Sequence, residues 1–334
     1  MPKLCSILLA AALAAPVHAG VPAVGAADAA APAAAPSRQR VQFAFHSGFL
    51  MNLHHFLYNL ATHPDRLAAF RQANTLSTQE GDALQQALAF YHADYAERDL
   101  LFDQDLAAIK RALSVDDDDR RDPQDLALPP ALAAHLRATA PLYAHTAWPA
   151  HDAANRAWIR VASALDAHYG AAVQASIEQG LAAAFPRAPV RVDLVVETGT
   201  RQGAYTDLQA VISSGRPSYR GLASLEMLYH ETSHVETTEP LETMIAARLQ
   251  AAGKPADSEL WHALQFYTVG RAVALALRRD GIAYQPYADS VGLFKGYWAP
   301  FATIIAADWQ PWLAGQASEE DAIARLVAKL PPDL

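Results

Sequence analysis

The sequence predicts an α+β protein that is predominantly helical, and three observations lead to this prediction. Apolar residues recur at helical spacing over most of the chain from about residue 41 onward. Two short segments rich in β-branched residues, 190–196 and 207–213, have the pattern of strands instead. Helical spacing resumes directly after the second segment. We therefore expect a small sheet next to a large set of helices.

The first nineteen residues have the pattern of a signal peptide. Lys3 precedes a run of apolar and small residues from Leu4 to Ala15, and the small residues of Val17-His18-Ala19 precede Gly20. The run is too short to span a bilayer, and the rest of the sequence contains no second long apolar run. We expect an exported protein, periplasmic or secreted, without an integral membrane segment in its mature part.

An Ala/Pro-rich linker, residues 20–40, follows the signal peptide. A helical N-terminal part, 41–185, and a second part, 186–334, come next and can form one continuous domain. The apolar spacing predicts five helices in the first part, at about 52–73, 79–97, 101–113, 125–138 and 150–184. It predicts five more in the second part, at about 221–236, 240–252, 258–278, 298–314 and 318–330.

Composition limits the chemistry that is available. Cys5 is the only cysteine and lies in the predicted signal peptide, so the mature chain has no thiolate. Any transition-metal site must then use His, Asp and Glu side chains. The formal net charge of −9 and the absence of a basic cluster exclude nucleic acid as an expected partner.

The segment His230-Glu231-Thr232-Ser233-His234 is the motif that carries chemistry. Its two histidines are four residues apart, so on a helix they project from one face and can bind one ion at about 2 Å. Glu231 lies about 100° around the helix, where it can accept the proton of a metal-bound water. The motif therefore predicts a Zn²⁺ site with Glu231 as the catalytic base.

A catalytic zinc site needs a third protein ligand and an open position for water. Glu259 and His262, three residues apart at the start of a predicted helix, are the candidates. The other downstream glutamates follow the motif too closely or lie at an exposed helix start. His262 shares the inward face of its helix with Phe266, which favours His262 and leaves Glu259 as the alternative.

These features resemble the zincin superfamily of metallopeptidases, in particular its thermolysin-like, or gluzincin-like, branch. The resemblance covers about residues 190–280 and rests on the motif and on a third-ligand helix about 25 residues later. It implies a zincin-like domain, a peptide or protein substrate, and pairing of that substrate with an edge strand upstream, about 207–213. The branch has an Asp four residues after its third-ligand Glu, where this chain has Ala263.

Peptide hydrolysis also needs a donor to the oxyanion that develops on the scissile carbonyl. A tyrosine hydroxyl downstream of the motif can supply it. The candidates are Tyr267, Tyr287 and Tyr297.

Di-iron chemistry is one alternative, because Glu231/His234 and Glu259/His262 are two Glu-x-x-His pairs of the kind found in di-iron carboxylate bundles. The pairs are too close in sequence for an intervening bundle helix with its own glutamate. Two further helices would each have to supply one glutamate, with Glu97 and Glu178 as candidates.

The other alternative is a non-catalytic zinc-binding secreted domain. Glu231 favours an enzyme over this alternative, because a purely structural zinc site needs no base.

Overall fold

The computed structural model describes residues 39–100, 102–199 and 203–331. The predicted signal peptide and all but the last two residues of the linker lie outside the described residues. None of the helices in the described ranges is both long and apolar enough to cross a membrane. The described chain is mostly helical with one small sheet, as the sequence predicts.

The sheet is mixed and has the strand order β1-β2-β4-β3. β1 runs parallel to β2 and β2 runs parallel to β4, whereas β3 runs antiparallel to β4. The strands are β1 (Phe43–His46), β2 (Val190–Val195), β3 (Ala204–Thr206) and β4 (Ala210–Ser213).

The second predicted strand, 207–213, differs from the structure. A tight turn at 207–209 separates β3 from β4, and the N–H of Asp207 donates to the carbonyl of Gln209 across it. β4 lies inside the sheet between β2 and β3, so an edge strand at 207–213 is wrong. The edge strand next to the motif helix is β3.

Six helices follow β1. The predicted helix at 52–73 is two helices, because Pro64 takes the first position of a new helix and ends the preceding one. The helix predicted at 125–138 begins later for the same reason, with Pro130 at its start. The helices are α1 (Phe49–Thr62), α2 (Pro64–Ala73), α3 (Thr78–Asp94), α4 (Gln104–Leu113), α5 (Pro130–His145) and α6 (Trp148–Gly180).

The helices after the sheet are α7 (Ala223–Ser233), α8 (Glu239–Ala251), α9 (Leu260–Arg278), α10 (Tyr287–Ser290), α11 (Ala299–Ile304), α12 (Gln310–Leu313) and α13 (Glu319–Lys329). The predicted helix at 298–314 consists of α11, a π-helical turn at Ile305–Trp309 and α12. The motif helix α7 ends in a tight turn, where Glu236 has a left-handed backbone with φ of 71°.

Two hydrophobic cores lie on the opposite faces of the sheet. Ile212 points into the core formed mainly with α6, α7, α9 and α13, whereas Val211 points into the core formed with α1, α3, α4 and α5. This alternation follows from the two-residue period of a strand. Because β1 pairs with β2, the parts 41–185 and 186–334 share one sheet.

Candidate metal centre

The motif helix α7 is buried on all sides. It contacts β3 and β4 on one side and α6 and α9 on the other, and every residue from Ser224 to Ser233 is buried. Burial of polar side chains is unfavourable unless they find hydrogen-bond or metal partners. His230 and Glu231 therefore need partners inside the protein.

Three imidazoles meet at the end of α7. His230, His234 and His262 each offer one ring nitrogen, and these three atoms lie within 4.8 Å of one another. The Nε2 atoms of His230 and His234 are 3.4 Å apart. Two nitrogens bound at 2.0–2.1 Å to one tetrahedral ion are also about 3.4 Å apart, so this pair fits zinc.

The electrostatic surroundings favour the neutral form of the two motif histidines, His230 and His234. Burial lowers the pKa of His230 well below its ordinary value, and the neighbouring His234 and His262 lower it further. Burial likewise lowers the pKa of His234, with His262 adding to the effect. Neutral imidazole is the form that binds a metal, so His230 and His234 need no proton release before binding.

The position of the third imidazole is set by α9. Glu259 is the residue before the helix, and His262 lies in its first turn. The carboxylate of Glu259 is 3.4 Å from Nδ1 of His262, and only the three histidines form the group among the described residues. His262 thus joins the motif histidines, while Glu259 contacts Nδ1 of His262 and can orient its ring.

Glu231 lies beside the histidine group. Its Oε1 is 3.9 Å from Nε2 of His230, and its Oε2 is 3.0 Å from the Oγ1 of Thr206. Burial raises the pKa of Glu231 to about 8, although the Thr206 hydroxyl lowers it in part. A buried carboxyl with a pKa near neutrality can both accept and return a proton.

Aromatic rings surround the imidazoles. Phe266 stacks on His230 with ring centroids 3.6 Å apart, and Trp261 stacks on His262 at 4.9 Å. Trp298 meets His262 edge-on at 5.2 Å. These rings restrict water around the histidine group and lower the local dielectric constant, which strengthens any charge interaction there.

Sequence reasoning missed two polar side chains that hold the motif helix. Thr206, the last residue of β3, lies within hydrogen-bond distance of both the carbonyl and the carboxylate of Glu231. Gln265 on α9 donates from Nε2 to the carbonyl of His230 and to the Oγ of Ser233. The Thr206 contact joins separate elements and leaves no spacing pattern, whereas Gln265 lies one turn after His262 and could have been found from helical periodicity.

The three tyrosines proposed as oxyanion donors lie in different places. The hydroxyl of Tyr267 donates to Gln310, away from the imidazoles. Tyr287 is buried behind the ring of Phe266, and Tyr297 is 49% exposed beside Trp298.

A fourth tyrosine, Tyr219, which was not predicted from the sequence, interacts electrostatically with Glu231. Tyr219 is buried in the short 3₁₀ turn Pro217–Tyr219 that packs on α7. Burial raises its pKa well above the ordinary value, and the charge of Glu231 raises it further. A phenol that stays protonated beside the base is suited to donate a hydrogen bond.

The glutamates that a di-iron site would need lie elsewhere. Glu178 on α6 accepts hydrogen bonds from the Nε2 of Gln174 and the N–H of Phe185. Glu97 is exposed at the surface. Neither belongs to the histidine group.

A comparison with models of protein families, with curated proteins and with solved structures gives no match for this chain. The histidine group and its surroundings are therefore the basis on which a function is inferred.

Proposed function

We propose that this chain is an exported zinc-dependent hydrolase that cleaves peptide bonds. His230, His234 and His262 hold the metal, and Glu231 is the general base. One observation carries the proposal: three imidazoles converge within 4.8 Å, and the buried carboxyl of Glu231 lies beside them without joining them. Three nitrogen ligands and one adjacent base are the parts of a catalytic zinc site with an open position.

Zinc at such a site lowers the pKa of a coordinated water to about 7 and polarises a substrate carbonyl. Glu231 accepts the proton of the attacking water and returns it to the leaving amine. Thr206 holds the carboxylate through Oε2, which leaves Oε1 on the side of His230. The aromatic rings of Phe266, Trp261 and Trp298 keep bulk water away from the proton transfer.

The substrate class follows from the edge strand. β3 ends at Thr206, whose hydroxyl contacts Glu231. Among the described strands β3 is the last of the sheet, so its outer edge is free and runs towards the Glu231 carboxylate. An extended peptide can add to such an edge by backbone hydrogen bonds, which brings a peptide carbonyl towards the imidazoles. The position of this edge supports a peptide or protein substrate and agrees with the resemblance to zincins.

The zinc assignment is favoured over the di-iron alternative by the ligand set. Three imidazole nitrogens are a common set for zinc, whereas di-iron sites depend on bridging carboxylates. Glu259 contacts Nδ1 of His262 and is not a member of the histidine group.

Replacing Glu231 by Gln tests the role of the base. We expect Glu231→Gln to keep its zinc and to lose at least a hundredfold in kcat on a peptide library, the size typical of general-base catalysis. Glu239→Gln is the matched control, because Glu239 is exposed at the start of α8. Turnover and zinc content should both be unchanged in this control.

One outcome would contradict the proposed mechanism, and two others would favour a different function. Unchanged peptide cleavage in Glu231→Gln would contradict the mechanism. Zinc without turnover in the wild-type protein would point to a non-catalytic zinc-binding domain. Iron in place of zinc in the purified protein would point to the di-iron alternative.

A further inference from the structure

A cavity lies against α9, and one of its lining residues, Phe266, also contacts the histidine group. Its volume is about 190 Å³. Phe266 separates the two sites, because this residue lines the cavity and its ring also stacks on His230. Tyr267, a candidate oxyanion donor from the sequence, lines this cavity too.

One wall of the cavity is a stripe of α9. Tyr267, Arg271, Ala274 and Arg278 lie at positions i, i+4, i+7 and i+11, so they share one helix face. The opposite wall comes from the segment 284–294. Its lining residues are Tyr284, Pro286, Ala288, Asp289 and Phe294. The cavity lining therefore combines aromatic and apolar side chains with charged ones.

Opposite charges line this cavity, with Arg271 and Arg278 on α9 and Asp289 on the segment 284–294. Arg271 is half-buried on α9, and Asp289 is exposed on the opposite wall. Within the described ranges neither side chain has an ion-pair partner at 4.0 Å or less, although Lys295 is close enough to influence Asp289. A carboxylate and a guanidinium that line one cavity without touching can each bind a complementary group of a ligand.

The size of the cavity limits the ligand. Between about 15 and 30 Å³ is needed for each water-sized group, so 190 Å³ holds roughly six to twelve heavy atoms. A ligand that uses both charges must carry an anionic and a cationic group. Its remaining atoms must be apolar to match Phe266, Tyr267 and Phe294.

We propose that this cavity binds a free α-amino acid with an apolar side chain. Arg271 pairs with the α-carboxylate, Asp289 pairs with the α-ammonium group, and the aromatic rings contact the side chain. Bidentate pairing between a guanidinium and a carboxylate gives the site its orientation. The proposal does not depend on zinc or on peptide cleavage.

Calorimetric titration with L-leucine and L-phenylalanine tests the ligand class. We expect at least one of them to bind, and its amide and its N-acetyl derivative to bind at least tenfold more weakly. The amide lacks the carboxylate, and the N-acetyl derivative lacks the ammonium group. The proposal would be overturned if neither amino acid binds at a concentration of about 10 mM, which is high enough to detect weak binding. Equal binding of the derivatives would also overturn it.

Two variants test the residues. Arg271→Gln and Asp289→Asn should each weaken amino-acid binding at least tenfold with no change in zinc content. Arg279→Gln is the control, since Arg279 is exposed at the end of the same helix and does not line the cavity. Binding that is equal in all three variants and the wild-type protein would show that the cavity is not the site. Melting curves of each variant check that a loss of binding is not a loss of fold.

Discussion

Lys110 shows how a single buried charge shapes the stability of this protein. Its side chain is 1% exposed, and its Nζ lies 4.0 Å from the centroid of the Tyr205 ring. Among the described residues this nitrogen has no hydrogen-bond partner. Burial lowers the pKa of Lys110 to about 7, although Asp207 and other acids offset part of the effect. The folded protein therefore disfavours the charged amine.

We predict that Lys110→Met raises the free energy of unfolding at pH 7. In the unfolded chain the lysine has a pKa near 10.4, so between pH 7 and about 10.4 the unfolded state binds more protons. The parent protein must then gain stability from this group as the pH rises. Since one pKa unit is about 1.4 kcal/mol, the variant should be roughly 3–5 kcal/mol more stable at pH 7.

The gain should shrink towards zero near pH 10.4, and urea unfolding of parent and variant at pH 7, 8.5 and 10 measures it. A variant that is less stable than the parent at all three values would show that Lys110 stabilises the fold through its contact with Tyr205.

At the residue scale, the sequence was informative where chemistry depends on local spacing. His230 and Glu231 lie on α7, and His234 follows its last residue with helical backbone angles, so their relative positions follow from helical geometry alone. His262 could be proposed by elimination, and the structure brings it to the motif histidines. Thr206 and Tyr219 approach Glu231 from other elements, and no periodicity within α7 could reveal them.

At the scale of elements, two helical glycines differ in how closely other residues pack around them. A Cβ on Gly270 of α9 would come within 2.7 Å of Cβ of Pro286 and within 2.9 Å of the Glu226 carboxylate. A Cβ on Gly81 of α3 would meet nothing within 4 Å. Gly270 therefore permits α9 to approach α7 and the segment at Pro286, whereas Gly81 has no such role.

We predict that Gly270→Ala destabilises the protein by about 1–3 kcal/mol, the usual cost of overpacking. Gly81→Ala should stabilise it by about 0.5–1 kcal/mol, because alanine restricts the unfolded chain and favours the helix. Urea unfolding of both variants provides the measurement. A stable Gly270→Ala protein would mean that Pro286 or the Glu226 side chain can move aside at little cost.

Elements that depend on contacts between residues close in sequence were predicted more accurately than elements that depend on contacts far apart in the chain. Most helices were found because their apolar residues lie a few positions apart. The sequence does not predict β1, because its four residues are half-buried and the strand with which it pairs, β2, lies far along the chain. The strand at 207–213 was assigned as one piece because the turn before Ala210 is short and contains the apolar residue Leu208.

At the scale of the whole molecule, the shared sheet joins the N-terminal helices to the histidine group. Val211 of β4 contacts the core of α1 and α3, and the adjacent Ile212 contacts the core that contains α7 and α9. Thr206 of β3 contacts Glu231, while Tyr205 beside it accepts or donates a hydrogen bond with His55 on α1. Because the two cores pack on opposite faces of one sheet, unfolding of either core removes support from the strands on which the other core packs.

We therefore predict a single cooperative unfolding transition. Thermal unfolding followed by circular dichroism and by tryptophan fluorescence should give the same midpoint, although six tryptophans report different regions. Added zinc should raise this one midpoint, since a ligand that binds only the folded state stabilises the whole cooperative unit. Two separate transitions, with only one sensitive to zinc, would show that 41–185 and 186–334 fold independently.

The central claim is that three histidines hold a zinc ion, and the zinc content of purified wild-type, His262→Ala and Glu259→Gln proteins tests it most directly. The geometry predicts about one zinc per wild-type chain and loss of zinc in His262→Ala, since His262 supplies one of three ligands. Glu259→Gln should keep zinc with an affinity about 10–100-fold lower, because Glu259 orients His262 without binding the metal. A wild-type protein without zinc, or zinc lost from Glu259→Gln and retained by His262→Ala, would contradict the claim.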